Sequence, residues 1–121
     1  MIKKKKTTNQ ADKQAPKVSY NYKPEGMTLE QWQIALRQQA AMKEAFVISE
    51  DMEVDGPGYY KVINRTTKKI YRVVYRGEES HWNFCSCMDF KTSRLGTCKH
   101  IEGVKLWISG HRKRVHTERP A

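Results

Sequence analysis

The sequence predicts an α+β domain in which an N-terminal helix is followed by a small antiparallel sheet, made of a hairpin plus a short strand, and then by a short C-terminal helix. Residues 29 to 45 are rich in Ala, Gln, Glu, Leu and Met and contain neither Gly nor Pro, which favours a helix. Residues 59 to 64 and 70 to 76 are rich in β-branched and aromatic side chains. The polar residues 65 to 69 between them have the length of a hairpin loop.

The first helix is expected to begin after Thr28. Its hydroxyl can occupy the N-cap position, and Gln31 follows three residues later, which is the pattern of a capping box. Apolar side chains recur at helical spacing and predict the buried stripe of the helix: Leu29, Trp32, Leu36 and Ala40. We interpret Trp32 as a packing anchor within this stripe.

The sheet is predicted from short apolar runs separated by turn residues. Residues 46 to 48 indicate a short strand, and the Asp-Gly-Pro-Gly run at residues 55 to 58 predicts a turn before the hairpin. Residues 82 to 84 are expected to add a further strand.

The second hairpin strand has two unlike faces. Tyr71, Val73 and Tyr75 share a purely apolar and aromatic face, whereas the opposite face is mixed. A short helix is expected to follow His100, to pack on the sheet and to end at Gly110 as its cap. Its apolar residues are Ile101, Val104, Leu106, Trp107 and Ile108.

Charge divides the 121 residues into a folded domain and two basic tails. We predict a disordered basic tail at residues 1 to 26, a domain at residues 27 to 110 and a basic C-terminal tail at residues 111 to 121. The formal net charge is +10. Residues 18 to 58 contribute −4 and residues 59 to 110 contribute +6, so the half of the domain that holds the cysteines is the basic half. Such a charge favours a polyanionic partner.

The predicted compartment is the cytosol. Three cysteines cannot all pair within one chain, and the Lys-rich start does not resemble a signal peptide, so reduced thiols are expected. No apolar run approaches the roughly 18 residues that a membrane span needs, so a membrane-spanning role is not expected.

The strongest chemical pattern is a pair of short ligand motifs. Cys85-x-Cys87 is followed after ten residues by Cys98-x-His100. Zinc prefers four soft or borderline ligands in a tetrahedron, and four ligands without a water position make a closed structural site. Because two sulfurs on one zinc lie about 3.8 Å apart, the backbone must bend at each pair. We therefore predict one Zn²⁺ that stabilises the basic half of the domain.

Other interpretations of these residues stay open at this stage. Cys85 and Cys87 could form a disulfide, or the thiols could be buried apolar groups. Cys98 could be a nucleophile with His100 as its base, although the sequence suggests no orienting partner. His111 could replace His100 if the helix ended differently. His81 and His116 are expected to be surface residues.

The ten residues between the two motifs are expected to be an ordered loop. Closing so short a loop costs little entropy. We expect three apolar side chains of the loop to pack against the sheet, namely Met88, Phe90 and Leu95.

With these motifs the chain resembles the SWIM zinc finger. Residues 27 to 108 look in particular like the N-terminal SWIM region of bacterial SWI/SNF-type helicase-like ATPases, including the Leu-Glu-Gln-Trp helix and the Asp-Phe-Lys-Thr run at residues 89 to 92. The resemblance implies a ββα-like zinc unit, an association with DNA binding and protein contacts, and a location in the bacterial cytosol or nucleoid. No Gly-x-x-x-x-Gly-Lys-Ser/Thr phosphate loop occurs in the sequence, so no ATPase motor of that type is expected in this chain.

Two functions of different classes follow from these observations. The first is nucleic-acid binding, with DNA as the expected partner and RNA as the alternative, mainly through phosphate contacts. The predicted contact residues are Arg65, Lys68, Lys69, Arg72, Arg76, Lys91, Arg94 and Lys99. The second is a protein adaptor, or a detached regulatory module that contacts a helicase-like ATPase. No convincing acid, base or nucleophile set is present, so we expect neither an enzyme nor a small-molecule substrate.

Overall fold

The computed structural model describes the backbone of residues 17 to 118 and the side chains of residues 17 to 110. Within this part of the chain the predicted α+β layout is confirmed. The elements are α1 (Leu29–Lys43), β1 (Phe46–Glu50), β2 (Tyr59–Asn64), β3 (Ile70–Val74), β4 (Phe84–Cys85), α2 (Met88–Ser93) and α3 (Lys99–Glu118). Residues 1 to 16 and 119 to 121 lie outside the described residues, so most of the predicted N-terminal tail is not covered.

Helix α1 begins with the predicted capping box. The Gln31 backbone N–H donates to Thr28 Oγ1 at 3.0 Å, and the Thr28 backbone N–H donates to Gln31 Oε1 at 2.9 Å. The predicted stripe was wrong at Leu29, whose surface is 62% exposed. Helix α1 packs on α3, and its buried residues include the small side chains Ala35 and Ala41.

Residues 17 to 26 contain neither helix nor strand, and three of them contact α1, namely Val18, Ser19 and Tyr20. Val18 exchanges two hydrogen bonds with Gln39, at 2.7 and 3.2 Å between nitrogen and oxygen. The Trp32 indole N–H donates to the Ser19 carbonyl oxygen at 2.8 Å. The ordered contacts of the domain therefore extend before residue 27, into the segment whose composition resembles a tail.

The four strands form one antiparallel sheet in the order β1-β2-β3-β4. The register aligns Ile48 with Val62, Val62 with Tyr71, and Val73 with Cys85. Because side chains alternate between the faces of a sheet, these residues share one face. That face packs on α3, where Val62, Val73, Ile101 and Val104 are at most 1% exposed. Tyr71, Val73 and Tyr75 lie on this inner side, as predicted.

The packing of α3 on β1 is close because Gly103 lies at the contact. A Cβ atom at this position would lie 3.1 Å from Phe46 Cδ2 and 3.6 Å from Ile48 Cδ1. Close approach of this kind needs a residue without a side chain. It brings the Phe46 ring against the first turn of α3.

The opposite side of the sheet, which we call the open face, carries none of the buried core in the described part of the chain. Because side chains alternate between the two faces along each strand, the sequence predicts a mixed surface here, and apolar, aromatic and basic side chains are interspersed on it. The open face consists of Val47, Ser49, Tyr59, Lys61, Ile63, Ile70, Arg72, Val74 and Phe84.

Several element ends differ from the prediction. Helix α3 does not end at Gly110 but runs through it to Glu118, because an internal glycine costs only about 1 kcal/mol in a helix that is already propagating. Strand β3 ends at Val74 rather than at Arg76, and the last strand is shifted to residues 84 and 85. In the described residues no helix is long and apolar enough to cross a bilayer.

Candidate metal centre

Each pair of predicted ligands lies at the start of a helix. Cys85 ends β4 on the inner face of the sheet, and Cys87 is the N-cap of α2. Cys98 directly precedes α3, and His100 lies in its first turn. A helix start bends an extended chain, which is the bend that the spacing of each pair requires.

The chain reverses between the two pairs at residues with left-handed backbone. Arg94 ends α2 with a φ of 61°, and Gly96 follows with a φ of 78°. Glycine adopts this region without steric cost, whereas an arginine does so at some cost in energy. The reversal returns Cys98 to the end of β4.

The four predicted ligands meet at one point. Their ligand atoms all lie within 4.8 Å of one another. His100 Nδ1 lies 3.6 Å from Cys85 Sγ and 3.9 Å from Cys98 Sγ. Bond lengths of about 2.3 Å to sulfur and about 2.0 Å to nitrogen place tetrahedral ligands roughly 3.5 to 3.8 Å apart. The donor set and its dimensions therefore fit a zinc ion after small side-chain adjustments.

The imidazole of His100 faces the sulfurs through Nδ1. Its other nitrogen, Nε2, is buried and has no hydrogen-bond partner among the described residues. The Tyr71 ring stacks on the imidazole at a centroid distance of 4.0 Å, and the Phe46 ring lies at 5.2 Å. Aromatic packing thus sets the ring orientation that a hydrogen-bonded carboxylate or carbonyl usually sets in a metal site.

Mutual hydrogen bonding separates the protonation states of the three thiols. The neighbouring Cys85 and Cys98 sulfurs lower the pKa of Cys87, and the backbone N–H of Phe90 also donates to its sulfur, at 3.4 Å. The hydrogen bond to Cys87 raises the pKa of Cys85 to about 12, and the Cys85 sulfur raises the pKa of Cys98. Uptake of a metal by three thiolates must therefore displace protons.

Burial bears on the alternatives that the sequence leaves open. The three cysteines are free thiols, so the disulfide is not formed. Cys98 is 0% exposed and His100 is 3% exposed, so their side chains have no direct access to a substrate in solvent. His81 is exposed, as predicted, and the side chains of His111 and His116 lie outside the described residues. The geometry is that of a closed site, which could hold a metal with structural rather than catalytic ligands.

The loop between the ligand pairs is ordered but packs only in part as expected. Phe90 packs against the buried cluster and meets Phe84 edge-on, at a centroid distance of 5.6 Å. The prediction for Met88 was wrong, because this side chain is 69% exposed at the solvent side of the first turn of α2.

Two ion pairs that the sequence did not predict tie α1 to the ligand motifs. Arg37 donates to both carboxylate oxygens of Asp89, at 2.8 and 3.0 Å, two residues after Cys87. Lys99, between the second pair of ligands, donates to both oxygens of Glu44 at 2.8 and 2.9 Å. The partners are 52 and 55 residues apart in sequence, and no local pattern relates them. Both halves of the metal centre are thereby linked to α1.

We predict that the bidentate pair of Arg37 and Asp89 stabilises the domain by about 1 kcal/mol, because the Arg37 side chain is only 19% exposed whereas that of Asp89 is 41% exposed. A double-mutant cycle with Arg37→Ala and Asp89→Ala, read by urea unfolding, measures this coupling. Lys91→Ala, an exposed cation on the same short helix, is the control. Additive effects of the two changes would contradict the assignment.

The predicted nucleic-acid contacts fall into two groups. Arg72 pairs with Asp51 and Glu53 at 3.0 and 3.3 Å, and Lys99 pairs with Glu44 as described above. Arg76 donates to the Tyr59 hydroxyl at 2.7 Å and lies over its ring. The remaining five side chains are exposed and have no ion pair in the described part of the chain: Arg65, Lys68, Lys69, Lys91 and Arg94.

Three of these exposed cations lie close together at the loop between β2 and β3. We call Arg65, Lys68 and Lys69 the basic turn. Asn64 caps this turn, since its side-chain oxygen accepts from the backbone N–H groups of Thr66 and Thr67 at 2.9 and 3.1 Å. The basic turn is thus a fixed loop that presents three cations to solvent.

Comparisons with protein-family models, curated proteins and solved structures gave no match to this chain.

Proposed function

We propose that the chain is a SWIM-type binding module that holds one structural Zn²⁺ and binds nucleic acid, rather than an enzyme. The observation that carries the metal part of the proposal is the buried cluster of three thiols and one imidazole. Three thiolates and one neutral imidazole leave a Zn²⁺ complex with one negative charge, buried and shielded from solvent. Zinc would supply folding energy at this site and no reactive water.

The proposal of nucleic-acid binding rests on the basic turn. Its three cations lie within five residues, and none of them is neutralised by an acidic neighbour in the described chain. Such a turn would contact successive phosphates and release their counterions. The exposed cations Lys91 and Arg94, in and directly after α2, add to the positive charge available for phosphate contacts. Because phosphate contacts carry no sequence information, binding would be weakly sequence-specific.

A protein adaptor is the competing function, in line with the SWIM resemblance and its helicase-like ATPase partners. The open face supports an adaptor function because two of its apolar side chains, Val47 and Ile70, are 45% and 58% exposed. An interface of that kind would depend on apolar burial, and it would lose little affinity when salt is added.

A salt titration separates the two functions. We expect the logarithm of the association constant between the zinc-loaded chain and nucleic acid to fall linearly with the logarithm of the salt concentration. The slope should be about −2 or steeper, because the basic turn alone can neutralise three phosphates at about 0.7 to 0.9 each. Fluorescence anisotropy of a labelled oligonucleotide at several salt concentrations measures the slope. Affinity that survives unchanged at about 0.5 M salt, or no binding at all, would contradict the proposal and leave the adaptor as the better account.

A further inference from the structure

The end of the sheet away from the basic turn presents exposed aromatic side chains. Trp82 is 78% exposed and Phe84 is 41% exposed. Tyr59 is half-buried, and the Arg76 guanidinium lies over its ring at 5.2 Å from the centroid. Exposed apolar side chains that lie together are more typical of an interaction site than single exposed residues are.

The register places Tyr59 and Phe84 on the open face. Val74 is paired with both Tyr59 and Phe84 at the end of the ladder, and the chain continues beyond it to Arg76, while Trp82 lies in a turn two residues before Phe84. The side chain of Asn83 fixes this continuation, since its oxygen accepts from the Arg76 backbone N–H at 2.8 Å. Its side-chain nitrogen donates to the Gly77 carbonyl oxygen at 2.7 Å. We call the end of the sheet that carries Tyr59, Trp82 and Phe84 the aromatic end, and the Asn83 side chain ties it to the chain that follows β3.

A shallow cavity of about 420 Å³ adjoins this end of the sheet, beside Tyr59 and Arg76. This volume lies within the range of about 300 to 1,000 Å³ that is usual for small-ligand sites. Tyr60 and Tyr75 also line it.

The cations at the two ends of the open face suit a polyanion. Its own cations are Lys61 and Arg72, Arg76 lies at its aromatic end, and the basic turn borders its other end. Arg72 is paired with two acidic groups, Asp51 and Glu53, and a third acidic residue, Asp55, lines the cavity. Cations thus lie at both ends of the face and aromatic rings lie at one end.

We propose that the open face binds single-stranded nucleic acid, with bases stacked on Trp82 and Phe84 and phosphates held by Arg76 and the basic turn. The inference rests on the proposed function and specifies its substrate class. Bases within a duplex are stacked on one another and cannot reach an exposed side chain, whereas a single strand offers every base face. A sheet that carries exposed aromatic and basic residues suits the second form.

The test compares Trp82→Ala with Trp82→Phe, which keeps an aromatic face. The probes are a 12-nucleotide oligo(dT), a 12-nucleotide oligo(U) and a mixed-sequence 12-base-pair duplex, each titrated against the zinc-loaded chain. We expect Trp82→Ala to weaken single-strand binding about tenfold, as for the loss of one stacked base. Trp82→Phe should stay within about threefold of the unchanged chain. Binding of a single strand should quench the intrinsic tryptophan fluorescence of the unchanged chain. Most of this quenching should be lost in Trp82→Phe, because the variant lacks the stacked tryptophan.

Leu29→Ala is the control, because it removes an apolar side chain of similar exposure from α1, away from the open face. It should leave affinity unchanged. Tighter binding of oligo(dT) or of oligo(U) than of the duplex supports the proposal and identifies the strand type. Tighter binding of the duplex overturns it. If Trp82→Ala binds normally while neutral variants of the basic turn do not, the assignment of base stacking to Trp82 is wrong and the proposed function stands. If none of the three probes binds the unchanged chain, the proposed function itself is wrong.

Discussion

Replacing Cys98 by serine is expected to abolish stoichiometric zinc and to unfold the half of the domain that runs from β3 to α3. A serine hydroxyl cannot take the place of a thiolate on zinc at neutral pH. Binding of a structural zinc contributes about 10 to 16 kcal/mol, whereas a domain of this size is stable by only about 5 to 15 kcal/mol. Loss of the ion therefore exceeds what the rest of the packing can offset.

The aromatic rings packed around the buried His100 provide a spectroscopic signal for the loss of structure. Tyr71 and Phe46 pack on its imidazole, and Val73, Ile101 and Val104 fill the adjoining core. Near-ultraviolet circular dichroism should lose its aromatic signal when the ring is released, and elemental analysis should fall well below one zinc per chain. Addition of a strong chelator to the unchanged protein should give the same loss.

Met88→Ala is the matched control, since this residue follows Cys87 directly but its side chain points to solvent. It should keep its zinc and its aromatic signal. A Cys98→Ser chain that retains one zinc and a cooperative unfolding transition would show that the sulfur of Cys98 is not a ligand.

Neutralising the basic turn is expected to give the largest loss of nucleic-acid affinity. The combined variant Arg65→Gln, Lys68→Gln and Lys69→Gln removes three phosphate contacts. For a single strand the magnitude of the salt slope should fall by about 2, at about 0.7 for each contact, and affinity at low salt should fall at least about tenfold. These side chains are exposed, so the free energy of unfolding should change by no more than about 0.5 kcal/mol.

A charge-preserving variant makes this test specific. Arg65→Lys, Lys68→Arg and Lys69→Arg retain all three charges at the same backbone positions. This variant should keep the salt slope of the unchanged chain, because counterion release depends on charge rather than on the shape of the cation. An unaltered slope in the neutral variant would place the phosphate contacts elsewhere on the molecule.

Local chemistry explains what the sequence could predict. The first hairpin strand, at residues 59 to 64, agrees with the structure because β-branched and aromatic residues end at a polar loop. The capping box of Thr28 and Gln31 needs only four residues to define it. The cluster of Cys85, Cys87, Cys98 and His100 follows from the same short-range logic, since zinc chemistry prescribes donor types and close pairs.

Contacts between distant segments explain what the sequence could not predict. Arg72 looked like a phosphate contact until the fold placed Asp51 and Glu53 beside it. Arg37 and Asp89 are 52 residues apart, and only the folded chain relates them. Gly110 looked like a helix end because glycine is common there, but the helix continues for eight more residues.

The most direct test of the metal centre is X-ray absorption at the zinc edge of the purified, zinc-loaded protein. The account predicts one zinc per chain with three sulfur neighbours at about 2.3 Å and one nitrogen neighbour at about 2.0 Å, without a bound water. A first shell with fewer than three sulfurs, or one that contains an oxygen from water, would contradict it.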